Sequence, residues 1–270
     1  MEKTREIEKS IIKKYRKQIW SKFVKAIKEF ELIKENDKIA VCISGGKDSM
    51  LLAKCLEELK RHGQFKFDLE YIVMDPGYNE INLNKIKENL KILNIKATIF
   101  NSNIFEVSKK MDEENPCYMC ARMRRGCLYN KAKELGCNKI ALGHHFNDVI
   151  ETILMNMLFN GLYSSMMPKL YSDNFEGMEL IRPLYFIKEE DIISWSKYNG
   201  LEFIGCACSV TEKKSGKRRV VKDLVNELKK IYPQADLNKF KSTSNVNLNT
   251  ILKAHNHEGE ISFLDNYDNK

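Results

Sequence analysis

Residues 41–50 read VCISGGKDSM, so that two serines, two glycines, a lysine and an aspartate fall within six positions behind a short apolar run. Gly45 and Gly46 let a backbone approach an anion, Ser44 and Ser49 add hydroxyl donors, and Lys47 adds charge. A loop of this kind entering a helix presents unpaired N–H groups and the positive end of the helix dipole, which suits phosphate. The spacing is not that of the hydrolytic phosphate loop GxxxxGK(S/T), nor that of the dinucleotide signature GxGxxG.

A second set of reactive side chains is made of thiols. Of eight cysteines, Cys42, Cys55 and Cys137 sit in apolar settings that suit small core residues. Cys117 and Cys120, in PCYMC, lie two residues apart in a loop expected to open a helix, where thiolates form readily and can face one metal. Zinc, a redox dithiol and an iron–sulfur cluster all remain open for them. The distant pair Cys206 and Cys208, in CAC, is one residue too tight for an ordinary zinc knuckle. A cluster held by three thiolates, with one iron left open, would use Cys117, Cys120 and one of these two. Cys127 reads as a core thiol. In LGHHFND the adjacent histidines lack the helical HExxH spacing of a zinc site. Arg122, Arg124 and Arg125 alternate between two helix faces, where they can meet nucleic-acid phosphate or stay solvated, and Arg182 in IRPL can reach a phosphate or cap a strand.

These residues need elements to hold them. Ile7, Ile11, Tyr15, Ile19, Phe23 and Ile27 predict one long amphipathic helix over about residues 4–34. IAVCI, FDLEYIVMD, KATIF and KIALG predict strands separated by helical stretches, which implies a parallel sheet covered on both faces. Further helices are expected near 104–111, 120–135 and 188–199, followed by one or two basic helices and a polar tail after about 255. Ligands of such a sheet bind at the carboxyl ends of its strands.

The chain has 270 residues and a formal net charge of +8, with the basic excess gathered in the first helix, in ARMRR and in EKKSGKRRVVK. Such clusters suit a phosphate backbone. No run long enough for a membrane span and no secretory signal is visible, so a cytoplasmic protein with no membrane partner is expected.

SGGKDS, following a strand and opening a helix, resembles the PP-loop ATP pyrophosphatases, which adenylate a substrate carbonyl and release pyrophosphate. That resemblance implies an α/β fold with a doubly wound, mainly parallel five-stranded sheet. It also implies that Ser44, Gly45, Gly46, Lys47, Asp48 and Ser49 hold ATP phosphates and that Asp75, ending the second strand, lies near the nucleoside. The stretch CYMCARMRRGCLYNKAKELGCNKIALGHHFNDVIETILMN, with MMPKL, IRPL and the later cysteines, resembles the TtcA family of tRNA 2-thiocytidine synthetases. The likeness runs from the first helix to about residue 235. It implies an N-terminal helix over 1–36, a PP-loop domain over 37–200 and a C-terminal helical segment over 201–270.

By the same resemblance a 4Fe-4S cluster has three protein ligands, Cys117, Cys120 and Cys208, with Cys206 as the alternative third, and an open iron that carries sulfur. The family commonly has CxxC where this chain has CAC. Gly143 gives a close backbone approach and Asp148 positions Mg2+ and phosphates, so that Asp48, Asp148 and the three cysteines form the catalytic set. Arg122, Arg124, Arg125, Lys217, Arg218 and Arg219 would meet tRNA. A cysteine desulfurase or other sulfide donor supplies the sulfur, and the long first helix is compatible with a homodimer. The reaction implied is ATP-dependent thiolation at C2 of cytidine 32. The alternatives are the related tRNA 2-thiouridine synthetases, lysidine synthetase, which shares the PP-loop without the cluster cysteines, and a non-catalytic iron–sulfur redox sensor that binds nucleic acid.

Overall fold

The computed structural model describes residues 2–63, 65–102, 104, 116–205 and 216–267, and within them the backbone alone at 116–121 and 266. The expected helix near 104–111 and both Cys206 and Cys208 therefore lie outside the described residues, apart from Ile104.

The chain opens with α1 (Glu2–Ile12) and α2 (Ser21–Glu29), joined through a wider π-type turn at Arg16–Trp20. The sequence predicted one uninterrupted helix, and the apolar spacing explains the difference. A strict four-residue repeat overshoots the 3.6-residue turn and drifts around the helix, and a wider turn takes up the drift. All six repeat residues, from Ile7 to Ile27, are buried as a result.

Next come β1 (Lys38–Ile43), α3 (Lys47–His62), β2 (Asp68–Asp75), α4 (Glu80–Ile92), β3 (Ala97–Asn101) and α5 (Pro116–Glu134). After them follow β4 (Lys139–Ala141), α6 (Phe146–Asn160), β5 (Lys169–Tyr171), β6 (Glu179–Ile181) and α7 (Glu189–Tyr198). The sheet order is β3-β2-β1-β4-β6-β5. The first five are mutually parallel and β5 pairs antiparallel with β6, Leu170 opposite Leu180, adding an edge strand that the sequence reading lacked. Ile39 to Ile43 are all buried, as a central parallel strand covered on both faces requires. On α3 the apolar burial runs from Met50 to Leu56, which seats it against the sheet.

The chain moves outward from β1 through β2 to β3, then crosses to β4 and continues the other way. The order reverses between β1 and β4, and a crevice opens beyond their carboxyl ends. At the opposite ends of these strands, Lys139 is almost fully buried between Asp37 (3.1 Å) and Glu179 (2.6 Å), and it donates a third bond to the Leu32 carbonyl.

The described residues fall into two compact units, 1–149 with 166–216 and 150–165 with 217–270. The N-terminal helices belong to the first. Glu8 on α1 pairs with the fully buried Lys54 and with Arg61 on α3, and the Tyr15 hydroxyl donates to the Ser194 carbonyl on α7. In the second unit, α8 (Lys217–Ile231) and α9 (Ala235–Ser242) precede a hairpin of β7 (Lys253–Asn256) and β8 (Gly259–Ser262), where a polar tail was expected.

Candidate functional site

The glycine loop sits at the switch point between β1 and α3. Gly45 has φ +86°, a backbone that side chains resist, and a Cβ there would lie 2.6 Å from Ile86 Cγ1 and 2.8 Å from Ile204 Cδ1. Gly46 caps α3 without a side-chain bond, so the first N–H groups of a sixteen-residue helix stay open to an anion. The Ser49 hydroxyl is turned inward, donating to the Gly46 carbonyl (3.0 Å) and accepting from the Ser44 N–H (3.1 Å). Ser44 is exposed at the mouth of the loop. The two serines expected as phosphate donors thus differ in this state, one shaping the loop and one presented.

An open cavity of about 500 Å3 lies beyond β1 and β4, with Ser44, Asp48, Gly143, His144 and Asp148 in its wall. That is an ordinary size for a nucleotide-scale ligand. Gly143 packs closely on the loop, since a Cβ there would stand 3.0 Å from the Ser49 nitrogen and 3.1 Å from the Asp48 carbonyl carbon. The Asp148 carboxylate accepts from the His145 N–H at 2.9 Å, and the buried His145 ring stands between Asp148 (3.4 Å) and Asp48 (3.8 Å). Asp48 Oδ1 is buried with no hydrogen-bond partner. Burial pushes the Asp48 carboxyl up, an effect that His145 and Lys47 oppose and Asp148 reinforces. Two carboxylates, one with an orphaned oxygen, make a donor set fit for Mg2+.

Lys47 is held at 3.2 Å from Asp48 and 3.1 Å from Glu189, the first residue of α7. Burial would lower its ammonium, but the two carboxylates outweigh it and raise its pKa. Glu189 was not legible beforehand, since 142 positions separate it from its partner and its only mark is an acidic run, KEED. Asp75 caps its own turn through one oxygen, its Oδ1 accepting from the N–H groups of Gly77 and Tyr78, and its neighbour Met74 lines the cavity.

Helix α5 supplies the opposite wall. It starts at Pro116, earlier than the sequence suggested, so Cys117 and Cys120 are on helical backbone and not in a loop. Proline suits the first helical position because its missing donor has no partner there. Residues three apart share a helix face, so Cys117 and Cys120 fall on one side of α5. Arg124 and Arg125, one turn further on, line the cavity; the exposed Arg122 does not. Cys42, set aside as a core thiol, is buried in the cavity floor with its pKa pushed up by burial.

The run at residues 201–205, just before Cys206, also reaches the loop. The Asn89 amide of α4 donates to the Glu202 carbonyl, Ile204 covers Gly45, and Gly205 lines a second cavity together with Gly46, Lys47 and Asp48. In the second unit, Arg218 is paired with the buried Glu151 (2.8 Å), Lys217 lies over the Phe159 ring, and Arg219 is exposed.

The PP-loop domain model matches residues 15–227. The tRNA-cytidine(32) 2-sulfurtransferase of Pelobacter propionicus is 37% identical over 230 residues, covering 84% of this chain and 85% of that one. The enzyme of the same name from Vibrio cholerae is 36% identical over 86% of this chain and 75% of its own length. Among solved structures, the U34-tRNA thiolase NcsA from Methanococcus maripaludis, determined with its 4Fe-4S cluster, superposes with a TM-score of 0.66 over 83% of this chain and 77% of that one; at 24% identity it shows the shared fold. By the span of that domain and the identity of those relatives, this chain belongs to the PP-loop family and, within it, to the tRNA-cytidine(32) 2-sulfurtransferases.

Proposed function

We propose that this chain thiolates tRNA at C2 of cytidine 32, using ATP to activate the carbonyl. The observation that carries the reading is the convergence on one loop: Gly46, Lys47 and Asp48 line a cavity with Gly205, the residue before Cys206, and Asp48 shares the other cavity with Arg124 and Arg125 of α5, the helix whose first two turns carry Cys117 and Cys120.

The C2 carbonyl oxygen attacks the α-phosphorus of ATP and pyrophosphate departs. A sulfur nucleophile then adds to the activated C2, and the oxygen leaves with AMP. A carbonyl oxygen is a poor leaving group and AMP a good one, which is why ATP is needed. The open N–H groups at the start of α3 and Lys47 receive the pyrophosphate, stabilising charge that grows as the bond to the α-phosphorus breaks. Asp48 and Asp148 would hold Mg2+ against the same phosphates. Cys117, Cys120 and Cys208, or Cys206 in its place, would hold a 4Fe-4S cluster, which when bound supplies an open iron that carries sulfur. A cysteine desulfurase or free sulfide is the donor. Arg122 and Arg219, both exposed, are free to meet RNA phosphate, whereas Arg218 acts first as the partner of Glu151.

The test is anaerobic incubation of the reconstituted protein with unmodified tRNA, ATP and sulfide, followed by nucleoside mass spectrometry and pyrophosphate assay. Formation of 2-thiocytidine with stoichiometric pyrophosphate supports the reading, and 2-thiouridine or no thionucleoside defeats it.

A further inference from the structure

The cavity beyond β1 and β4 has an acidic pole at Asp48 and Asp148 and a basic pole made by Arg124, Arg125 and Arg182. Arg182, just past β6, is 8% exposed. Its Nε donates to His144 Nδ1 at 3.3 Å and its Nη1 to the Met167 carbonyl. These acceptors are neutral and use two of five guanidinium donors. No carboxylate among the described residues pairs with it. Burial pulls its pKa down to about 10, the Arg125 charge adding to that effect while Tyr185, Tyr129 and Asp148 oppose it, so it remains a cation at neutral pH. A buried cation without an anion is costly, and natural sites keep one where an anion arrives. Arg182 nevertheless lines the open cavity, where an anion can reach it.

Resting on the thiolation reading, we infer that Arg182, with Arg125 beside it, receives a phosphoryl oxyanion at the basic pole, either the α-phosphoryl of ATP or a backbone phosphate of the bound RNA. The planar fork of an arginine matches two phosphoryl oxygens, which a lysine cannot do. The bond from Nε also requires His144 Nδ1 to be an acceptor. It therefore fixes the neutral tautomer with the proton on Nε2, and Arg182 orders the histidine in the same wall.

The experiment uses the full chain with R182M, R182K and R125M. Equilibrium binding of ATP without RNA forms one arm, binding of unmodified tRNA without ATP the other, and 2-thiocytidine formation by the parent protein the control. Removing a charge-assisted phosphoryl contact should weaken one arm by about 10- to 100-fold in R182M. R125M should weaken the same arm less, and R182K should recover only part, because it restores charge without the fork. Loss in the ATP arm assigns the anion to the nucleotide, and loss in the tRNA arm assigns it to RNA. Unchanged affinity in both arms for R182K and R125M overturns the inference, even if R182M fails to fold. A parent protein that binds both ligands but makes no 2-thiocytidine defeats the thiolation reading and leaves the binding result standing.

Discussion

At the scale of single residues the site is built against its own stability. Burial raises the Asp48 carboxyl, so the native state holds its proton over a pH window that starts at the ordinary value of 3.8, where the unfolded chain has begun to release it. The native state then binds more protons than the unfolded one, and stability falls as pH rises through that window. D48N removes the penalty: it should melt at or above the parent temperature at pH 7 and yet release no pyrophosphate, and a lower melting temperature would contradict this account of the carboxylate. Gly45 is constrained by a φ of +86° and by two side chains, Ile86 at 2.6 Å and Ile204 at 2.8 Å from where a Cβ would go. G45A should cost about 1–2 kcal/mol from the backbone alone and more from the overlap. In an I86A background the overlap with Ile86 is gone while the backbone cost and the contact with Ile204 remain, so chemical denaturation of the two pairs would isolate the Ile86 part.

At the scale of elements the reversal of strand order between β1 and β4 makes the crevice, and a buried charge cluster pins its far end. Asp37, Lys139 and Glu179 sit at the amino ends of β1, β4 and β6, with Lys139 bonded to both carboxylates and to the Leu32 carbonyl. K139M strands two buried carboxylates and should destabilise the fold by about 3–5 kcal/mol, the range for breaking a buried pair. Because the cluster lies at the opposite ends of the strands from the cavity, the KM for ATP should stay at the parent value at temperatures where the variant is folded; a large rise in KM would show that the cluster also sets the site. The pairing of Glu8 with Arg61 and Lys54 ties α1 to α3: burial alone would raise its carboxyl, and the two cations outweigh that and hold it below the usual range. That contribution is present above the ordinary value of 4.5 and fades as pH falls through the lowered one. The strands and the helix after the glycine loop were legible because apolar runs and loop chemistry are local. The break in the first helix was less visible: its four-residue repeat was in plain sight, but the repeat alone does not say where the wider turn forms. Glu189 as the partner of Lys47 depends on a chain crossing that residue order does not show, whereas Asp75 as the cap of its own turn was open to reading from the Asp-Pro-Gly order.

At the scale of the whole molecule, three of eight cysteines are sealed in the first unit. Cys42, Cys55 and Cys137 are buried and their thiols are pushed up, Cys137 to about 11. Thiolate is the reactive form, so these three should resist alkylation of the folded protein at pH 8 and react only on unfolding, which peptide mass mapping would show. The family assignment came from motifs read in order, SGGKDS then CxxC then RxRRG then GHHxxD, because each is a contiguous block. The sequence also proposed Cys208 as third ligand, and that residue lies outside the described ones; what the fold adds is that Gly205, one position before Cys206, stands at the PP-loop. The most direct test of the central claim is nucleoside analysis of tRNA from cells lacking this chain, complemented with the parent, C117A or C120A. The account predicts that 2-thiocytidine disappears on deletion, returns with the parent and stays absent with either variant, while both variants still bind ATP. Persistence of 2-thiocytidine in the deletion, or its return with C117A and C120A, would contradict it.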